Sequence, residues 1–204
     1  MTAPKKLPIR PYARLLAMLG DQLIKNERIA LMELIKNAYD ADADWVRVSF
    51  EGFDDKWAAG PNAKIVIEDN GIGMTQKVIE TAWMNPATPH KRRERSEDRR
   101  TPVKKRVVQG EKGIGRFAML KLGARITVTT RPPKSVEEFA VVLDFSEYDS
   151  EFTTRSGKPC APFLDEIGAT FLSRPAAVIV PRTVTVGGVE RKAGASGTRI
   201  EPSS

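Results

Sequence analysis

Residues 30–42 read Ala30-Leu31-Met32-Glu33-Leu34-Ile35-Lys36-Asn37-Ala38-Tyr39-Asp40-Ala41-Asp42. Leu31, Leu34, Ile35 and Ala38 recur at helical spacing, which predicts an amphipathic helix with an apolar stripe. Glu33, Asn37 and Asp40 stand at i, i+4 and i+7. At about 100° per residue they stack within a fan of roughly 40°, with Glu33 about 200° from Leu31. One helix therefore carries a row of carboxylate, carboxamide and carboxylate apart from its apolar stripe. Taken alone, such a row reads as the solvated face of a surface helix.

Outward from this helix, Asn26 is the candidate N-cap. Upstream, Leu15, Leu16, Leu19 and Leu23 predict a short helix interrupted at Gly20-Asp21. Before it, Pro4, Pro8 and Pro11 give residues 1–11 the character of an extended arm. Downstream, Trp45 to Phe50 alternates, with Val46, Val48 and Phe50 on one side, and reads as a strand. A loop is expected over Gly52–Asn62 and a second strand over Lys64–Glu68.

That second strand runs into Asp69-Asn70-Gly71-Ile72-Gly73-Met74. A carboxylate at the end of a buried strand can accept a hydrogen bond from the amino group of a flat heterocycle. The glycines let the backbone approach the ring. Alone, Asp-Asn-Gly reads as a plain tight turn. A short helix is expected over Thr75–Met84, followed by a charged, non-periodic stretch over Asn85–Val107. Then comes Gly110-Glu111-Lys112-Gly113-Ile114-Gly115-Arg116-Phe117, a glycine-rich turn that opens a helix. Backbone N–H groups at such a turn favour phosphate, although a lone glycine-rich loop is weak evidence. The turn lacks the Gly-Lys-Ser/Thr of a Walker loop. Further strands are expected at 125–130, 139–145, 178–180, 183–186 and 197–201.

Composition narrows the function classes. Cys160 is the only cysteine and His90 the only histidine, which excludes a disulfide framework within one copy and a His-rich metal site. The single cysteine fits a reducing compartment, so a cytoplasmic location is expected. No apolar run approaches the roughly 20 residues of a membrane span. Of the net charge of +7, a net +6 lies within Lys91–Arg106, leaving the rest of the chain near neutral. Clustered cations can neutralise nucleic-acid phosphates. No aromatic residue interleaves them, so a solvated segment that offsets a smaller anion's charge is favoured.

Four motifs occur in order: Glu-x3-Asn-Ala-x-Asp-Ala on a helix, Asp-x-Gly-x-Gly after a strand, Gly-x2-Gly-x-Gly-Arg-Phe opening a helix, and Gly197-Thr198 on a late strand. In this combination residues 28–201 resemble the GHKL ATPases, the superfamily of DNA gyrase B, ninety-kilodalton heat-shock chaperones, histidine kinases, MutL and MORC proteins. The chaperone and MORC-like branch is the nearest. The resemblance implies an α/β fold, a two-layer sandwich of a mixed, mainly antiparallel sheet with helices on one face, known as the Bergerat ATP-binding fold.

It also implies site residues. Glu33 corresponds to the glutamate that activates water, and Asn37 to the asparagine that coordinates Mg²⁺ across the phosphates. Asp69 corresponds to the aspartate that accepts from the adenine amino group, with Gly73 beside it and Thr198 helping through water. Ala41 and Met74 line the base. Gly110, Gly113, Ile114, Gly115, Arg116 and Phe117 wrap the phosphates, and residues 85–107 form the lid over a domain of residues 28–204. Histidine kinases usually carry asparagine where Glu33 stands, which favours hydrolysis over phosphotransfer to protein.

The expected activity is Mg²⁺-dependent ATP binding and slow hydrolysis, driving lid closure and ATP-dependent homodimerisation. A non-hydrolytic nucleotide sensor and a histidine-kinase catalytic domain are the alternatives. Some branches supply a phosphate-contacting lysine from a following domain. The chain stops after the Gly-Thr strand, so Lys112 or Lys91 is the local candidate. A C-terminal effector domain is expected in the whole protein.

Overall fold

A computed structural model describes residues 6–24, 26–85, 100–110 and 115–203. Helix α1 (Arg14–Leu23) is followed by α2 (Glu27–Asp40), and then by the hairpin of β1 (Val46–Phe53) and β2 (Ala59–Asp69). A short helix α3 (Gln76–Val78) continues as a π-helical turn, Ile79–Trp83. A 3-10 helix, Gly115–Lys121, leads into β3 (Arg125–Arg131) and β4 (Glu137–Asp144). The two-residue strands β5 (Thr154–Arg155) and β6 (Lys158–Pro159) precede β7 (Thr170–Pro175). A second hairpin, β8 (Arg182–Val186) and β9 (Val189–Ala193), precedes β10 (Gly197–Ser203).

Six strands form one sheet in the order β1-β2-β10-β3-β4-β7, antiparallel at every pairing described. The expected two-layer α/β arrangement is observed. Strand alternation turns Ile67, Ile126 and Val128 to the face that receives Leu34 of α2 and Met119 of the 3-10 helix, and these five side chains form a buried cluster beneath the helix. No helix among the described residues is long and apolar enough to cross a membrane.

Helix α2 begins as its sequence requires. The Asn26 side chain accepts from the Ile29 amide at 3.0 Å, satisfying an otherwise free N–H of the first turn. Helix α1 departs from expectation, because it runs unbroken through Gly20. An isolated glycine costs a helix about 1 kcal/mol. Packing offsets this: Ala13 and Leu16 lie in a cluster with Phe145 and Phe152. The loop expected over residues 52–62 contracts to five residues, because β1 runs on to Phe53 and β2 starts at Ala59. Val46 and Val48 pack on the core, but Phe50 is exposed and meets Phe53 and Trp57 edge-on. Residues 178–180 form no strand; the Val178 and Ile179 amides donate instead to Glu138, each at 2.9 Å.

The other face of the sheet carries charge. Glu68 on β2 is almost fully buried and pairs with Arg47 at 2.8 Å, with Arg182 of β8, and with Arg199 of β10 at 3.9 Å. This contact and the Trp45 indole, which donates to the Lys192 carbonyl at 3.4 Å, fasten the β8–β9 hairpin to the sheet. Removing one partner of a buried ion cluster leaves the others uncompensated. Glu68→Ala is therefore expected to lower unfolding stability by about 3 kcal/mol, read by urea denaturation. A loss below about 1 kcal/mol would mean that apolar packing alone holds the hairpin.

Candidate functional site

Helix α2 places Glu33, Asn37 and Asp40 along one wall of a cavity of about 660 Å³. Ala41, Asp69, Gly73, Met74, Gly110, Gly115 and Thr198 line the same cavity. Lys112, Gly113 and Ile114, the side chains of Arg116 and Phe117, and residues 86–99 with His90 and Lys91 lie outside the described residues.

One end of the cavity is built around Asp69. The Gly71 amide donates to its Oδ1 at 2.8 Å, and the Asp69 backbone stands opposite Thr198 in the β2–β10 ladder. Asp69 is half-buried, its carboxyl facing the cavity and otherwise enclosed by protein. Burial, with the charge of Glu68 adding to it, pushes the carboxyl up to about 7 against the Gly71 and Thr198 hydrogen bonds. The buried Thr130 hydroxyl accepts from the Met74 amide at 2.8 Å, donates to the Gly197 carbonyl at 3.1 Å, and lies 3.1 Å from the Thr198 hydroxyl. Gly73 has φ +58°, and a Cβ there would collide with the Arg131 carbonyl, so glycine is required. Asn70 does more than turn the chain: its Oδ1 accepts from the Asp44 and Trp45 amides at 2.8 and 3.2 Å.

The raised Asp69 value has a consequence for the ligand-free protein. Below about pH 4 both folded and unfolded chains hold this proton. Between there and about 7 only the folded state holds it, so the contribution to stability is lost as pH rises through 7. The natural chain is expected to lose stability relative to Asp69→Asn from pH 5 to 7, by at most about 1.4 kcal/mol per unit. Thermal denaturation of the two ligand-free proteins across that range measures it, and a pH-independent difference would contradict the raised value.

The other end gathers Glu33, Asn37 and Gly115. A Cβ on Gly115 would stand 3.0 Å from Glu33 Oε2 and 3.8 Å from Asn37 Nδ2, so the absence of a side chain keeps this corner open. Lys36 forms an ion pair with Glu33 and also lines the cavity. Eight residues of helix, about 12 Å, separate Glu33 from Ala41, whose carbonyl accepts from the Ile72 amide at 2.8 Å. The cavity is thus elongated along α2, with a hydrogen-bonding slot for a flat ring at one end and an amide and a carboxylate at the other.

The acidic residues that end α2 hold the segment that returns to the cavity. Asp40 accepts from the Gln109 and Gly110 amides, each at 2.8 Å. Asp42, at φ +62° and buried, accepts from the Thr101 hydroxyl and from the Val103 and Lys104 amides at 2.8 and 3.0 Å. Burial alone would raise the Asp42 carboxyl, but these bonds and the Arg106 charge hold it below the usual carboxylate range. Lys104 reaches Asp44, while Arg106 donates to the Ala43 carbonyl at 2.7 Å and lies over the Tyr39 ring. Residues 100–107, the last part of the expected lid, are accordingly a turn tied to the segment 42–44 that follows α2. Sequence reasoning missed these anchors, and the alternation Asp40-Ala41-Asp42-Ala43-Asp44 was their only trace.

A family model described as histidine kinase-, DNA gyrase B-, and HSP90-like ATPase matches residues 25–158. The chain belongs to this ATPase family. Membership implies that ATP is bound, and the matched stretch contains α2, the Asp69 turn and the Gly110–Gly115 approach. Within the GHKL chain, Thr198 lies beyond the match and joins the site only because β10 inserts between β2 and β3. Among curated proteins no match is found.

Proposed function

We propose that this GHKL domain binds ATP with magnesium along α2 and hydrolyses it slowly, in the manner of the chaperone and MORC-like branch. The observation that carries this reading is the convergence of Glu33, Asn37 and Gly115 at the far end of a cavity whose near end presents Asp69. Asp69 would accept from the adenine amino group, with Thr198 and Thr130 completing a polar floor. Ala41 and Met74 would flank the ring, and Gly110 with Gly115 would give the phosphates close backbone approach.

Magnesium fits this donor set. Among the described residues no group of three or more His, Cys, Asp or Glu side chains could hold a metal alone. The Asn37 amide oxygen is a hard donor, and Mg²⁺ is commonly held by one or two protein ligands together with substrate phosphates. Bound there, it would supply charge neutralisation across the phosphates. Glu33, one helical turn away, would orient and deprotonate the attacking water.

Lid closure and homodimerisation belong to the same reading. The turn at residues 100–107, bonded to Asp42, would serve such a lid as its fixed end. The N-terminal arm is engaged in cis: Arg10 pairs with Asp165 at 2.8 Å and stacks on Phe163, while the Ala13 amide donates to the Pro162 carbonyl at 2.8 Å. Leu7 and Ile9, before this clamp, are exposed and are available to a second copy. Glu33 speaks against the histidine-kinase alternative.

Phosphate release measured with ATP is expected to require Mg²⁺ and to stop on chelation. Sizing with a β,γ-imido ATP analogue is expected to show a dimer that is absent without nucleotide. Binding without any phosphate release would leave the sensor alternative standing. A monomer under both conditions in the full-length protein would remove dimerisation.

A further inference from the structure

Resting on the reading of this cavity as a triphosphate site, we propose that Lys36 is its γ-phosphate sensor. Without a triphosphate it pairs with Glu33. With one bound, it exchanges onto the γ-phosphate and releases the Glu33 carboxylate to water.

Three observations carry the exchange. Lys36 and Glu33 form an ion pair within one turn of α2, and both line the cavity. Their side chains keep 37% and 28% exposure, so the pair is wet enough to open without burying a bare charge. Glu33 Oε2 stands against Gly115 in the corner beside Asn37, which is where the terminal phosphate would lie. Among the described residues, the cationic side chains that line the cavity are Lys36 and Arg100. Arg100 precedes Thr101, which is anchored on Asp42 past the other end of α2. Lys36 is thus the described cation at the Glu33 end.

The carboxylate and the terminal phosphate compete for the ammonium. A γ-phosphate carries more negative charge than one carboxylate, so at equal distance it attracts the ammonium more strongly. A lysine on a flexible stem can swing between two such partners. A diphosphate ends one phosphate short of this corner and leaves the Lys36–Glu33 pair intact. The pair therefore reports the terminal phosphate and holds back the carboxylate that hydrolysis needs until that phosphate is present.

Calorimetric titration of the natural chain, Lys36→Met and Lys36→Arg with the β,γ-imido analogue and with ADP, both with Mg²⁺, tests this. Lys36→Met is expected to lose at least about tenfold in triphosphate affinity while ADP changes by less than about twofold, as for a lost charge-assisted hydrogen bond. Lys36→Arg is expected to restore the triphosphate preference. Equal losses for both nucleotides, or no loss for either, would overturn the proposal and leave the ATP-site reading intact. A natural chain that binds neither nucleotide would overturn that reading and the proposal with it. Thermal denaturation of Lys36→Met, expected to be unchanged, separates these outcomes from misfolding.

Discussion

Asp69→Asn is expected to weaken ATP by at least about a hundredfold, about 2.7 kcal/mol, with the fold retained. The carboxyl is enclosed on every side but the cavity, and its Oδ1 is committed to the Gly71 amide. The Thr198 amide also donates to this carboxyl, and the acceptor capacity that remains is what a base would use. An asparagine that keeps the Gly71 bond turns its NH₂ toward the adenine amino group, so that two donors meet without an acceptor. An asparagine that faces the base correctly abandons the Gly71 amide. Either way a buried polar group loses its partner, a larger penalty than the net value of the bond itself. The ligand-free protein has no reason to unfold, because an amide is cheaper to bury than a carboxylate. Calorimetry gives the affinity and thermal denaturation the control. Affinity within a few-fold of the natural chain would show that the base lies elsewhere.

Glu33→Gln is expected to slow phosphate release by about a hundredfold or more while nucleotide affinity stays within a few-fold. The amide is close to the carboxylate in shape, so Gly115 and Asn37 keep their neighbour and the binding wall is preserved. What is lost is the ability to take a proton from water. The measurement pairs single-turnover phosphate release with calorimetry on the same preparation. Turnover at the natural rate would remove Glu33 from the role of base, and a parallel fall in affinity would assign it to binding.

Several parts of this protein were legible in the sequence because their causes are local. The apolar period of α2 and the Asn26 cap are set within one or two turns of chain. The polar row on the same helix follows from its pitch, so Glu33 and Asn37 could be paired without coordinates. The glycine requirement at Gly73 was visible as a motif, although the reason, contact with the Arg131 carbonyl, was not.

What only the tertiary structure decided rests on distant partners. An aspartate in a polar run reads the same whether it is solvated or satisfies backbone amides 61 to 70 residues away, so Asp40 and Asp42 disclosed nothing of their hold on residues 101–110. Thr198 reaches Asp69 through the placing of β10 between β2 and β3, a long-range choice that no short pattern records. Glu68 read only as the last residue of a strand, yet three arginines from separate strands converge on it. Local spacing determined which residues share a face. The sheet's strand order determined which faces meet, because burial and charge pairing are properties of neighbours in space and the chain specifies those only once it has closed on itself.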